Sequence, residues 1–188
     1  SGEIIKAKKA NDIALTIGKT NLFHKTVSVW DLMTILPKDF SRIDGIISLK
    51  SFERNVLTID LSKNIVIVEN KNSAKKKVKG KLPLKTRFAN GLEGSELNIF
   101  FGIPKDKNLY WFLFDSGNSG PLLLSQESAE IWKVRNEKNQ ESEFIIGEKK
   151  LRIKPFVRDI IYDGVLNFEA ISNYVFTIDL KNKEVWVN

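Results

Sequence analysis

Apolar and polar residues alternate along most of this chain in short runs bounded by Gly, Asn, Asp or Lys. That is the two-residue period of β-strands. The runs predict strands over Ile13 to Ile17, Thr26 to Trp30, Val56 to Leu61, Ile65 to Val68, Leu97 to Ile103 and Tyr110 to Phe114. Further strands are predicted over Phe144 to Ile146, Leu151 to Val157, Tyr174 to Leu180 and Glu184 to Val187. Helical patterning is sparse. Ser125 to Trp132 reads as one helix with Ser125 as N-cap, and Leu49 to Asn55 and Phe168 to Asn173 read as single turns.

The pattern also repeats. Asp44-Gly45-Ile46-Ile47 opens a segment ending at Glu69, and Asp163-Gly164-Val165-Leu166 opens one ending at Asn188. The offset, 163 − 44 = 119, holds without gaps. Across it Val56, Thr58, Ile59, Asp60, Leu61, Val66 and Val68 recur as Val175, Thr177, Ile178, Asp179, Leu180, Val185 and Val187. Alternation alone makes any two hairpins look alike, but a gapless match through Asp-Gly and Thr-Ile-Asp-Leu is a duplication. Upstream the likeness is looser: Ile17-Gly18 to Trp30-Asp31 resembles Ile146-Gly147 to Arg158-Asp159, and Glu3 to Lys6 resembles Glu130 to Lys133 at an offset of 130 − 3 = 127. Two related β-lobes about a pseudo-two-fold axis are expected. Residues 1–70 form the closing half of an incomplete first lobe, 71–80 a Lys-rich linker, and 81–188 the second lobe.

Composition narrows the chemistry. With 42% hydrophobic residues in 188, the chain can bury a core. No apolar run reaches the length of a membrane-spanning helix. The absence of cysteine excludes disulfides, thiol nucleophiles and zinc–thiolate sites. The one histidine, His24, lies in a strand pattern without a Ser-His-Asp context and reads as structural. The net charge of +7 favours solubility, and the basic run Lys75-Lys76-Lys77 with Lys79 and Lys81 reads as solvated rather than as a nucleic-acid site. The polar start at Ser1-Gly2 carries no leader and suggests a processed or cut end.

One segment carries candidate chemistry. Leu109-Tyr110-Trp111-Phe112-Leu113-Phe114 is a continuous apolar run, as in a strand buried on both faces. It ends in Asp115-Ser116-Gly117-Asn118-Ser119-Gly120, so a carboxylate stands at a buried strand end, where it needs hydrogen-bond donors. Hydrophobic strand, Asp-Ser-Gly, then a later Asp163-Gly164-Val165-Leu166 and closing hairpin resembles one lobe of a pepsin/retropepsin-like aspartic protease. The resemblance covers 13–70 and 82–188.

It implies an all-β fold with a few short helices, two lobes with the first truncated, and an aspartic-type endopeptidase that needs no cofactor or metal. Its substrate would be an extended peptide between the lobes. By the same resemblance Asp115 is the catalytic carboxylate, with Ser116, Gly117 and Asn118 supporting its loop. Such a site pairs two carboxylates that share a proton. The second falls at 115 − 127 = −12, outside this sequence, so a segment upstream, a partner chain, or nothing supplies it. Resemblance and polar start together suggest an exported or periplasmic bacterial protein; composition leaves the compartment open.

Two departures bear on activity. Ser48 and Asn167 stand where the family carries glycine under the active loop, and Asn118 stands where Ala or Ser is usual. A non-catalytic, peptide- or partner-binding relative of the same fold is therefore one rival. A basic β-domain binding anionic polymers is another. Asp60 and Asp179 read as turn caps, Asp44 and Asp163 as turn residues, and Glu93 and Glu96 as parts of a solvated turn. The four tryptophans read as core.

Overall fold

The computed structural model describes residues 7–91, 96–135 and 140–187, excepting the side chains of 23–25. The repeat over Glu3 to Lys6, the turn residue Glu93 and the side chain of His24 lie outside the described residues. The chain divides into two units between Glu53 and Arg54.

The first unit is built on one hairpin, β1 (Lys8–Ile17) and β2 (Thr20–Val29), paired antiparallel. Gly18 turns it at φ +58°, a conformation that costs glycine no steric strain. Both strands start well before the apolar alternation does, because cross-strand pairing extends them through polar residues. The hairpin ends at Trp30, which is 36% exposed and not core as expected. Two 3-10 turns follow, Leu32–Thr34 and Leu49–Phe52, with Asp31 and Ser48 accepting from the N–H groups of Met33 and Lys50.

The second unit opens with the repeated hairpin, β3 (Val56–Asp60) and β4 (Ile65–Glu69), and then α1 (Lys71–Val78). The expected linker thus holds a helix. Asn70 caps it, its Oδ1 accepting from Asn72 and Ser73 N–H at 2.9 Å. Its lysines remain exposed. Then come β5 (Thr86–Asn90), β6 (Leu97–Lys105), β7 (Asn108–Asp115), β8 (Leu123–Leu124) and α2 (Gln126–Trp132). As expected, Ser125 caps α2, accepting from Ser128 N–H at 3.1 Å. The remainder is β9 (Ser142–Ile146), β10 (Lys149–Ile153), β11 (Phe156–Val157), β12 (Gly164–Asn167), α3 (Phe168–Ile171), β13 (Val175–Asp179) and β14 (Glu184–Val187). The strand expected over 151–157 breaks at Lys154-Pro155, where proline has no N–H for a ladder. No helix among the described residues is long and apolar enough to cross a membrane.

The duplication appears directly in a four-stranded sheet of order β14-β13-β3-β4. β3 and β13 pair antiparallel with Val175 opposite Asp60, Thr177 opposite Thr58 and Asp179 opposite Val56. Each residue thus faces the repeat counterpart of its own mirror position, as across a two-fold interface. The axis passes between Thr58 and Thr177, both buried, with hydroxyls 3.4 Å apart at a separation of 119 residues.

The other main sheet has the order β11-β8-β12-β7-β6-β5. β7 lies inside it, antiparallel to β6 and parallel to β12. Its apolar run is not buried on both faces as expected: Phe112 and Phe114 are buried, whereas Trp111 and Leu113 are half-buried. Phe114 stacks with Phe101 at 5.2 Å and meets Phe176 edge-on at 5.1 Å. Phe112 packs with Trp132 and Phe144 at 5.7 and 6.0 Å. The chain is all-β with a few short helices, and its core joins the inner faces of these strands.

Candidate functional site

Asp115 is the last residue of β7, in register with Asn167 of β12. It is half-buried, and Ser116, Gly117 and Asn118 beyond it are exposed. The carboxylate therefore stands at the open end of an interior strand, reachable from solvent. Gly117 N–H donates to its Oδ1 at 3.2 Å, so a backbone amide supplies the donor that a carboxylate in this position needs. Gly120 N–H donates to Asn118 Oδ1 at 2.9 Å, which folds the loop back on itself.

Four residues from the second repeat hold this loop and the strand that leads into it. Asp163 Oδ2 accepts from Trp111 N–H at 2.6 Å, and Asp163 carbonyl accepts from Ser125 N–H at 3.1 Å. Asp163 is thus a clamp between the strand that carries Asp115 and the start of α2. Gly164 follows, with the Phe112 ring and the Leu123 carbonyl so close that a built Cβ would sit 2.7 and 2.8 Å from them. Asn167 closes β12. It is 1% exposed, donates through Nδ2 to Pro121 carbonyl at 2.7 Å, and lies beneath Gly120. Its Oδ1 is buried without a hydrogen-bond partner among the described residues. Phe168 N–H donates to Asn118 carbonyl at 2.8 Å. The Asn167 side chain, expected above only as a departure from a resembled pattern, is thus the loop's floor. Its departure from that pattern was the signal in the sequence, but which backbone group it would bind was not legible there.

The first repeat assembles no such site among the described residues. Asp44, the counterpart of Asp163, is exposed and pairs with Arg42 at 2.8 Å. Asp60 and Asp179 are turn caps as expected: Asp60 accepts from Ser62 Oγ and Lys63 N–H, and Asp179 from Asn182 N–H and Nδ2. The Ser62 hydroxyl, chiefly, with Lys63, holds the Asp60 carboxyl below its usual range.

Hairpin β9–β10 packs Phe144 beneath β7 and carries an ionic clip on its outer face. Glu143 meets Lys150 at 3.1 Å and Arg152 at 3.4 Å. The Lys150 contact, chiefly, and then Arg152 hold its carboxyl below the ordinary value of 4.5. A lowered carboxylate pKa stabilises the fold above the ordinary value, and that contribution is lost as pH falls through the folded one. Glu143→Gln is therefore expected to lower the melting temperature slightly at pH 7 and to leave it unchanged near pH 3. An equal difference at both pH values contradicts the clip.

No protein-family model matches the chain, and no curated protein matches it. Solved structures do. One is a retropepsin-like aspartic protease from Rickettsia conorii, 18% identical, matched over 55% of this chain and 93% of that chain with a TM-score of 0.38.

Proposed function

We propose that this chain supplies one carboxylate, Asp115, to an aspartic-type peptidase site that hydrolyses extended peptides. The observation that carries the reading is the placement of Asp115. It ends an interior strand, accepts a hydrogen bond from a backbone amide two residues on, and stands in register with Asn167, whose side chain ties the far end of the same loop at Pro121. A carboxylate held this way accepts a proton from water in a fixed direction. A partner carboxylate, contributed by a second chain or by a segment outside this sequence, shares a proton with it and donates to the substrate carbonyl. Ser116 and Asn118 flank it from the solvent side, and Gly117 leaves room beside the reacting oxygens.

The test is hydrolysis of an unstructured polypeptide between about pH 3 and pH 7 by the assembled form. A bell-shaped profile is expected, because one carboxyl must be ionised while the other keeps its proton. A flat profile overturns the reading. A second reading keeps the fold and drops the chemistry: a peptide-binding relative. The single Asp-Ser-Gly in this sequence and the asparagine at 167 favour it. Saturable peptide binding without turnover in every assembled form distinguishes it.

A further inference from the structure

We propose that the edge strand β4 is a docking site for an extended, apolar polypeptide segment, laid against it as Leu84 lies against β14. The proposal rests on the duplication and goes beyond the catalytic reading of Asp115. At the offset of 119, Val66, Ile67 and Val68 match Val185, Trp186 and Val187. The two hairpins share a sequence pattern and a symmetric pairing, yet their outer strands meet different surroundings.

In the second copy the outer strand is covered. Val185 is 0% and Trp186 8% exposed. Leu84 N–H donates to Val185 carbonyl at 2.7 Å, and Thr86 Oγ1 donates to Lys183 carbonyl at 3.4 Å. Leu84 and Val187 both lie against Gly147. In the first copy Val66 is 59% and Ile67 42% exposed, and Ile65 is exposed where its counterpart is the charged Glu184. An edge strand reading Ile-Val-Ile-Val has neither the lysine nor the proline that normally discourages pairing. It fits the addition of a further strand, with main-chain hydrogen bonds for affinity and side-chain contacts for selectivity.

A second place shows the same asymmetry. Ile46 is 77% and Ile47 45% exposed, whereas Val165 and Leu166 are 7% and 0%. Gly45 meets nothing within 4 Å, whereas Gly164 is packed on Phe112. In the second copy both places are covered from one stretch, residues 81–124, through Leu84 on β14 and through β7 and β8 on β12. The occupant of β4 therefore has the chemistry of Lys81-Leu82-Pro83-Leu84-Lys85: proline sets an extended backbone, and an apolar residue beyond it offers its N–H to the Val66 carbonyl. A second copy of this chain is a poorer occupant, because its own Leu84 is engaged on β14.

The probe is a synthetic peptide spanning Lys81 to Ala89, titrated onto the intact chain at about 0.15 M salt to screen the basic charge of both. Saturable binding is expected, with a scrambled peptide of the same composition binding at least about tenfold more weakly. Val66→Lys is expected to weaken it about tenfold or more, and Ile161→Lys, at a 92% exposed position outside the strand, to leave it unchanged. Both variants should keep the parent melting temperature, since both positions are exposed. No binding, equal binding of the scrambled peptide, or indifference to Val66→Lys overturns the proposal. So does self-association of the parent that Val66→Lys abolishes, which makes a second copy the occupant. Asp115→Asn should bind the peptide like the parent, so a failure of the catalytic reading does not count against this one.

Discussion

Asp115→Asn is expected to lower the turnover of peptides by roughly 10²–10⁴-fold, the range that a positioned proton-transfer group contributes. The substitution separates chemistry from structure. Asparagine keeps an oxygen to accept the Gly117 N–H and occupies the same space, so the loop has no reason to move. It loses the capacity to take a proton from water. Stability should therefore stay within about 0.5 kcal/mol of the parent, as for a substitution outside the core. The measurement is kcat in a preparation that contains both carboxylates, beside a thermal melt. Unchanged turnover with an unchanged melt removes Asp115 from the reaction, and a collapsed melt shows a structural carboxylate instead.

Phe112→Ala should have the largest effect on stability, a loss of about 3–5 kcal/mol. The ring is 0% exposed and touches Trp132 and Phe144, and Gly164 approaches it where no Cβ would fit. Rigid neighbours on all these sides leave little room for collapse into the cavity, which places the cost towards the upper end of that range. For a chain of this size the melting temperature should fall by roughly 6–20 °C. Leu109→Ala, on the same strand but 38% exposed, serves as the control and should cost less than about 1 kcal/mol. If the two variants melt together, β7 is not the anchored strand that the site requires. Because Asp115 ends that strand, the Phe112 variant should also lose activity below its midpoint, through misplacement of the carboxylate rather than its removal.

Much of the fold was legible because strand alternation and repeat spacing are local properties of the chain. The hairpins at 56–69 and 175–187 and the capped helix after Ser125 followed from period, cap and turn residues alone. So did the turn roles of Asp60 and Asp179. Strand ends were less legible: Lys8 to Asn11 and Thr20 to His24 join a hairpin because a partner strand pairs with them, not because they alternate. The helix over 71–78 was read as linker because its lysines suggested only solvation. What makes it a helix is the Asn70 cap, and its residues, Val78 apart, are not β-branched and do not oppose it.

The site divides in the same way. The order of residues fixed that a carboxylate follows an apolar strand, that two glycines follow it, and that a second Asp-Gly element lies 119 residues after the first. These are covalent facts, and no packing alters them. Three-dimensional packing settled which of the repeated residues have partners. Asp163 clamps Trp111 while its twin Asp44 faces solvent beside Arg42, and Asn167 becomes a buried floor. β4 and β14 share a pattern but not a covering segment. The reason is physical: a side chain's chemistry is carried in its sequence, whereas its burial and hydrogen-bond partners depend on strands distant in the chain that arrive only on folding.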